Sequence, residues 1–217
     1  MSDASHSIRD SYDRVADEYT RHIFDELQSK PLDRALLDRF AAETAGIGRV
    51  CDIGCGPGHV ARYLHKAGVT VFGLDLSQGM LEQAQKLNPE IRFTQGNMLG
   101  LELADDSLAG IVAFYSIVHL PQQSLPQAFR EMERVLQPGG RVLLAFHMGN
   151  EVIQRKELWG QPVSLDFFFF EPAIIQREME SSGLRIEEVI EREPYAPEVE
   201  YQSRRAYIFA RKPDSHS

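Results

Sequence analysis

Cysteine is nearly missing from this chain. Cys51 and Cys55 are the only two in 217 residues. They stand close together, and no second cysteine pair completes a tetrahedral site. Neither a disulfide framework nor a zinc centre follows, so no metal is expected and both read as small packing residues in a reducing compartment. Long apolar runs are missing too, since none approaches the ~20 residues of a bilayer span. The start, Met1-Ser2-Asp3-Ala4-Ser5-His6, has neither the basic flank nor the apolar core of a signal peptide, which predicts a cytoplasmic protein. Positive charge is in deficit, with 23 Lys and Arg against 32 Asp and Glu and a net charge of -9. That balance disfavours nucleic acid as a partner, because such affinity rests on neutralising phosphates. The densest basic segment, Tyr201-Gln202-Ser203-Arg204-Arg205-Ala206, reads as a solvated strand end. No internal repeat divides the chain.

What remains is 43% hydrophobic and 25% charged, the balance of one globular domain with a full core. Its organising stretch is Arg49-Val50-Cys51-Asp52-Ile53-Gly54-Cys55-Gly56-Pro57-Gly58-His59-Val60-Ala61-Arg62-Tyr63-Leu64. A short apolar run carries an acid, passes through alternating glycines and resumes at helical spacing, so it predicts strand, tight turn and helix. Glycines 54, 56 and 58 permit positive φ and leave no Cβ between the main chain and a ligand. A dinucleotide fingerprint would carry its third glycine where His59 stands, and no G-x-x-x-x-G-K-[ST] occurs.

Helical spacing of Ile8, Tyr12, Val15 and Tyr19 predicts an amino-terminal helix, with residues 1–7 disordered. Pro31 opens a second helix with Leu32, Leu36 and Phe40 on one face. After the glycine turn come a helix to Gly68 and a strand, Thr70 to Asp75. The acid at that strand's end falls about 20 residues beyond the turn, where a doubly wound fold places a carboxylate for ribose hydroxyls. A helix over 79–87, a strand over 91–95, a buried strand over 108–114, an amphipathic helix over 125–136 and a strand over 141–147 continue the rhythm. Residues 148–171, with Trp159 and the run Phe167-Phe168-Phe169-Phe170, lack a clean period and predict a loop-rich insert. A helix over 172–182 and strands over 184–192 and 204–211 follow, the two strands joined without a helix and therefore antiparallel. The expected fold is α/β, a doubly wound, mainly parallel seven-stranded Rossmann-like sheet with an antiparallel last strand.

The segment Asp52-Ile53-Gly54-Cys55-Gly56-Pro57-Gly58 resembles motif I of the class I S-adenosylmethionine (SAM) dependent methyltransferases, D-x-G-C-G-x-G, at every fixed position. Tyr12-Asp13-x-x-Ala16-x-x-Tyr19 is similar to the amino-terminal motif of small-molecule members related to the quinone-methylating group. The resemblance implies one domain over 1–217: helices forming a lid over 8–45, a SAM-binding core over 49–147, a substrate cap over 148–171, and a helix with the antiparallel pair over 172–211. It implies cofactor contacts at Tyr12, Tyr19, Asp52, Gly54, Cys55, Gly56, Gly58, Asp75, Leu76, Met80, Asn97, Met98 and Tyr115. At Asn97 the family usually has an acid receiving the adenine amino group, a bond that an amide carbonyl can also accept. Ser116, His119, His147 and Phe170 fall on the implied acceptor side, with His119 the candidate acid or base. As a loop residue His119 equally suits capping of backbone groups, and His147 competes for its role.

The implied reaction moves a methyl group from SAM to a small-molecule acceptor by in-line displacement, leaving S-adenosylhomocysteine, mainly through proximity and orientation. A base is needed only where the acceptor must lose a proton. An NAD(P)-dependent oxidoreductase and a non-catalytic SAM-binding protein remain the alternatives.

Overall fold

Apolar runs that end near acids or glycines form the strands of one large sheet, and the stretches with helical spacing between them cover its faces. The computed structural model describes residues 3–214. In chain order the elements are α1 (Asp3–Ile23), a 3-10 turn (Glu26–Ser29), α2 (Pro31–Thr44), β1 (Arg49–Ile53), α3 (His59–Lys66), β2 (Thr70–Asp75), α4 (Gln78–Leu87) and β3 (Arg92–Gln95). They continue with β4 (Leu108–Phe114), α5 (Leu125–Val135), β5 (Leu136–His147), β6 (Val152–Leu158), β7 (Gln161–Phe168), α6 (Pro172–Ser181), β8 (Arg185–Arg192) and β9 (Arg205–Arg211).

Seven strands pair in the order β3-β2-β1-β4-β5-β9-β8. Pairings among the first five are parallel, whereas β9 runs antiparallel to both its neighbours. Successive side chains on a strand face opposite sides. Cys51 and Ile53 therefore join Phe129, Met132 and Ile175 from α5 and α6, while Val50 joins Leu37, Phe40 and Leu64 from α2 and α3. These side chains are fully buried, and burial of each contributes about 1.5–3 kcal/mol before entropy is counted. The expected α/β doubly wound sheet with its antiparallel last strand is the observed one. Among the described residues no helix is long and apolar enough to cross a membrane.

Three local expectations are corrected. Residues 3–7, expected to be disordered, are the first turns of α1; residues 1 and 2 lie outside the described range. The gap expected between the helix over 125–136 and the strand over 141–147, which holds Pro138-Gly139-Gly140, is carried inside β5, which pairs Leu136 with Leu108 and then shifts register to pair Arg141 with Gly110. Gly139 has φ 76, and its N–H donates to Lys212 O (3.0 Å). Residues 148–171 form a β-hairpin rather than a loop-rich insert, with β6 and β7 antiparallel and Leu158 opposite Gln161. Its two turn residues, Trp159 (φ 49) and Gly160 (φ 77), are both left-handed, the geometry that matches the twist of paired strands.

The hairpin and α1 hold each other. Ser11 Oγ accepts from Ser164 N (3.0 Å), Arg14 donates to Pro162 O (2.6 Å), and Val15 is buried with Val163 and Leu165. Trp159 stacks on His22 with ring centroids 4.7 Å apart.

Candidate functional site

The glycine turn is built by close approach. Gly54, Gly56 and Gly58 all have left-handed φ, at 70, 50 and 80. Gly54 N and Cys55 N both donate to Leu74 O on β2 (2.7 and 3.1 Å). A Cβ on Gly54 would collide with the Ser116 side chain just past β4, so any larger residue would push the turn away from the strand ends. The turn is tied down by Asp75, whose two oxygens accept from Gly56 N (2.8 Å) and Ser77 N (2.9 Å). Burial pushes this carboxyl above its ordinary range, and the N–H groups of Ser77 and Gly56 partly offset that.

Of the residues expected at the cofactor, Gly54, Gly56, Asp75, Leu76, Met80, Asn97 and Met98 line one cavity, together with Tyr12, Tyr19 and Tyr115. Ser116 and His119, expected at the acceptor, close the same cavity. Three expected cofactor contacts lie elsewhere. Asp52 is 1% exposed and accepts from Ala61 N (3.0 Å) in the first turn of α3. Burial raises its carboxyl to about 7, so it holds turn to helix rather than facing the cavity. Cys55 is buried between the turn and Gly73, where burial pushes its thiol up. Gly58 caps α3, and a Cβ there would lie 2.7 Å from the Phe93 ring. Asn97 does line the cavity, but its Oδ1 already accepts from Leu99 N (2.9 Å), leaving one lone pair of that oxygen for a ligand.

A second cavity shares Tyr12, Tyr19 and Tyr115 with the first and extends between α1, the hairpin, the carboxyl end of β5 and the amino end of β9. His147 lines it, as expected of an acceptor-side residue. Phe170 does not: it is 3% exposed and packs with Ile175 and Phe146 in the core. Side chains in the phenylalanine run alternate, so Phe167 and Phe169 face the second cavity while Phe168 and Phe170 turn inward. Sequence reasoning also missed Ile8 and Arg9 of α1 in the first cavity and Lys30, Glu200 and Arg205 in the second. The last three carry no local motif and meet only through the fold.

His119 ends a short turn after β4. One ring nitrogen, Nδ1, lies 2.9 Å from Asp166 O on β7. A carbonyl only accepts, so Nδ1 carries the proton and Nε2 accepts from the Tyr12 hydroxyl at 2.6 Å. Burial lowers the imidazole to about 4, partly offset by the Asp166 carbonyl. His119 is therefore neutral at pH 7, with its basic nitrogen turned toward α1. Tyr115, in the left-handed region at φ 53, sits where the two cavities meet. Such a conformation in a residue other than glycine costs about 1–2 kcal/mol.

Sheet order and turn together define a nucleotide-binding protein of the doubly wound class, with its site at the carboxyl ends of the strands. Residues 50–140 match the family described as "Methyltransferase domain". A malonyl-[acyl-carrier protein] O-methyltransferase of Pectobacterium atrosepticum is 32% identical over 153 residues, 70% of this chain and 58% of that one. The chain thus spans little more than half the length of that curated relative. A solved SAM-dependent methyltransferase structure from Methanosarcina mazei superposes with a TM-score of 0.73 at 15% identity, covering 82% of this chain and 98% of that one. The structure of the [4+2]-cyclase SpnF superposes with a TM-score of 0.75 at 17% identity, covering 97% of each chain. The matched segment, residues 50–140, is a methyltransferase domain, and the fold around it is that of the solved SAM-dependent methyltransferase structure.

The residues of the first cavity fit the cofactor of that family. Asp75 offers carboxylate lone pairs, Leu76, Met80 and Met98 give apolar walls, and the buried Ser116 Oγ has no partner of its own. A buried hydroxyl left unpaired is costly unless a ligand completes it.

Proposed function

We propose that this protein transfers a methyl group from SAM to a small-molecule acceptor. The observation that carries this reading is the pair of adjoining cavities, one with the glycine turn and Asp75, the other aromatic, joined across Tyr12, Tyr19 and Tyr115. The first cavity would hold SAM, which would supply an activated methyl group for in-line attack by the acceptor, with S-adenosylhomocysteine as the leaving group. Asp75 and Ser116 orient the cofactor, and Leu76, Met80 and Met98 exclude water from its base. α1 lines both cavities and the hairpin walls the second, which favours a displacement limited by alignment. Where the acceptor must lose a proton, His119 Nε2 receives it as the Tyr12 hydroxyl releases that lone pair. The acidic charge balance favours a small molecule over nucleic acid.

The shared fold of the [4+2]-cyclase shows that the architecture alone does not dictate methyl transfer, so the test must read the cofactor. Calorimetry of the full chain is expected to give saturable heat with SAM and with S-adenosylhomocysteine, and none with NADH. Saturable NADH binding with no heat from either sulfur ligand overturns the reading in favour of an oxidoreductase.

We further propose that α1 acts as a lid. Asp13 Oδ1 accepts from Ser77 Oγ (2.6 Å) and Gly79 N (2.9 Å), so α1 caps the start of α4. A Cβ on Gly79 would lie 3.0 Å from the Asp13 Cα and carbonyl oxygen and 3.2 Å from Ala16 Cβ. Alanine favours the helix by about 1 kcal/mol over glycine, whereas overpacking against backbone costs about 1–3 kcal/mol. In Gly79→Ala the clash is expected to win. Amide exchange along α1 should quicken, and affinity for S-adenosylhomocysteine should fall about three- to tenfold as Tyr12 and Tyr19 move with the helix. A variant with faster α1 exchange and unchanged affinity would show that α1 only packs against the sheet.

A further inference from the structure

The second cavity, about 440 Å³ in volume, is of a size that takes a small organic ligand. Its walls are aromatic. Phe169 stacks on His147 with centroids 4.9 Å apart, Tyr201 meets Phe169 edge-on, and Trp159 meets Tyr19 edge-on. Such surfaces favour a flat, conjugated guest.

Its floor is ionic and buried. Lys30 is 4% exposed and Arg205 2%. Both converge on one oxygen of Glu200, at 3.7 and 3.4 Å, and both lie over the Tyr115 ring, at 5.6 and 5.4 Å. The carboxylates of this floor are well supplied with donors. Glu200 accepts from two guanidinium nitrogens of Arg192 and from Tyr195 N, and Glu26 accepts from Lys30 at 2.6 Å and contacts His59 at 3.2 Å. At the mouth, the exposed Arg155 and Glu157 offset each other in charge.

What the floor lacks is an acceptor. Arg205 donates through its terminal nitrogens to Ser203 O and Oγ and to Tyr201 O, yet its Nε–H is buried with no partner. The Lys30 ammonium makes one short bond and keeps further donors. Ser203 Oγ accepts from Arg205 and lies 2.7 Å from His147 Nδ1. Arg205 and Lys30, which both line the cavity, thus hold donors that await oxygen.

We propose that the second cavity takes a planar, conjugated carboxylate, its ring against the aromatic walls and its carboxylate on Arg205 Nε–H and the Lys30 ammonium. A charged oxygen is favoured over a neutral carbonyl because hydrogen bonds to ionised partners from an ionised donor are roughly twice as strong. The proposal rests on the methyltransferase reading only in naming this ligand the acceptor.

The test compares cinnamate, cinnamamide and cinnamylamine by calorimetry on the full chain saturated with S-adenosylhomocysteine. Emission of Trp159, the only tryptophan, reports occupancy of the cavity it lines. Cinnamate is expected to bind at least tenfold more tightly than the amide and the amine and to change that emission. Arg205→Lys, which keeps the charge and loses the Nε–H, should erase most of the preference for acid over amide. Lys30→Gln provides the second variant should Arg205→Lys not fold. No heat with cinnamate, equal affinity for the amide, or a preference for the amine overturns the proposal. If S-adenosylhomocysteine itself gives no heat, the methyl-transfer reading falls, and the acid-to-amide ratio measured on the chain alone still decides the ligand class.

Discussion

Asp75→Ala is expected to weaken binding of S-adenosylhomocysteine by about 1.5–3 kcal/mol, roughly a ten- to hundredfold loss of affinity. The carboxylate has two tasks that share its lone pairs. It holds Gly56 N and Ser77 N, fixing the turn that the cofactor lies against, and it faces the cavity where ribose hydroxyls would donate. Alanine removes both the ligand's partner and the tie on the turn. Folding stability should move less than affinity, because two opposing effects meet. Two backbone N–H groups lose their acceptor, at about 1–3 kcal/mol each. Against this, a carboxyl held above its ordinary range by burial is costly when ionised. Its contribution to stability is fully present below the unfolded value of 3.8 and declines as pH rises through the higher folded value, so at neutral pH its removal brings relief. Asp75→Asn keeps one acceptor oxygen and should fall between wild type and alanine. Calorimetry with each variant checks the order, and an unchanged affinity in Asp75→Ala would take this residue out of the site.

The second large effect is expected at His119. For an acceptor that must lose a proton, His119→Ala should lower turnover by about 10²-fold and leave affinity for S-adenosylhomocysteine nearly unchanged. The competent form is the neutral imidazole, which exists above the folded value of about 4. Turnover should therefore fall as pH drops through about 4 rather than through the 6.5 of a free histidine, and the variant should lose that acidic limb. The same depression has a consequence for stability. Its contribution is fully present above 6.5 and is lost as pH falls through the folded value near 4. His147, lowered to about 3 with burial as the first cause and Arg205 and Lys30 adding to it, acts in the same direction. A variant that keeps both its turnover and its acidic limb sinks the base assignment; an acceptor that ionises on its own would produce that result.

Much of this architecture was legible because short-range chemistry specifies it. Alternating glycines, an acid at a strand end and apolar runs of strand length located β1, β2, β4, α3, α4 and α5 to within a residue or two. The connection without a helix between β8 and β9 forecast their antiparallel pairing. Orientation was less legible. Asp52 and Asp75 occupy similar places in two parallel strands, yet one turns to the N–H groups of α3 and the other to the cavity. Sequence treats them alike because the difference is set by which helix follows. The hairpin was missed because Trp159-Gly160 is an uncommon pair for a two-residue turn. Its signal was nevertheless present in the alternation of Val163, Leu165 and Phe167 with Ser164 and Asp166 on β7. Phe170 was misplaced by one step of the same alternation. The floor of Lys30, Glu200 and Arg205 could not be read at all, since residues so far apart meet only once β9 lies between β5 and β8.

The clasp between α1 and the hairpin also sets an order of assembly. Val15 emerges from the ribosome long before Val163 and Leu165, the two residues that bury it. Until the hairpin is made, the apolar stripe of Ile8, Tyr12, Val15 and Tyr19 has no cover on that side. Contacts across so much intervening chain close late and slowly, and an uncovered stripe is a surface on which nascent chains stick to one another. The roof over both cavities is thus synthesised before the sheet and is among the last elements to be seated, so a chain stalled before residue 160 would carry the glycine turn without the enclosure above it.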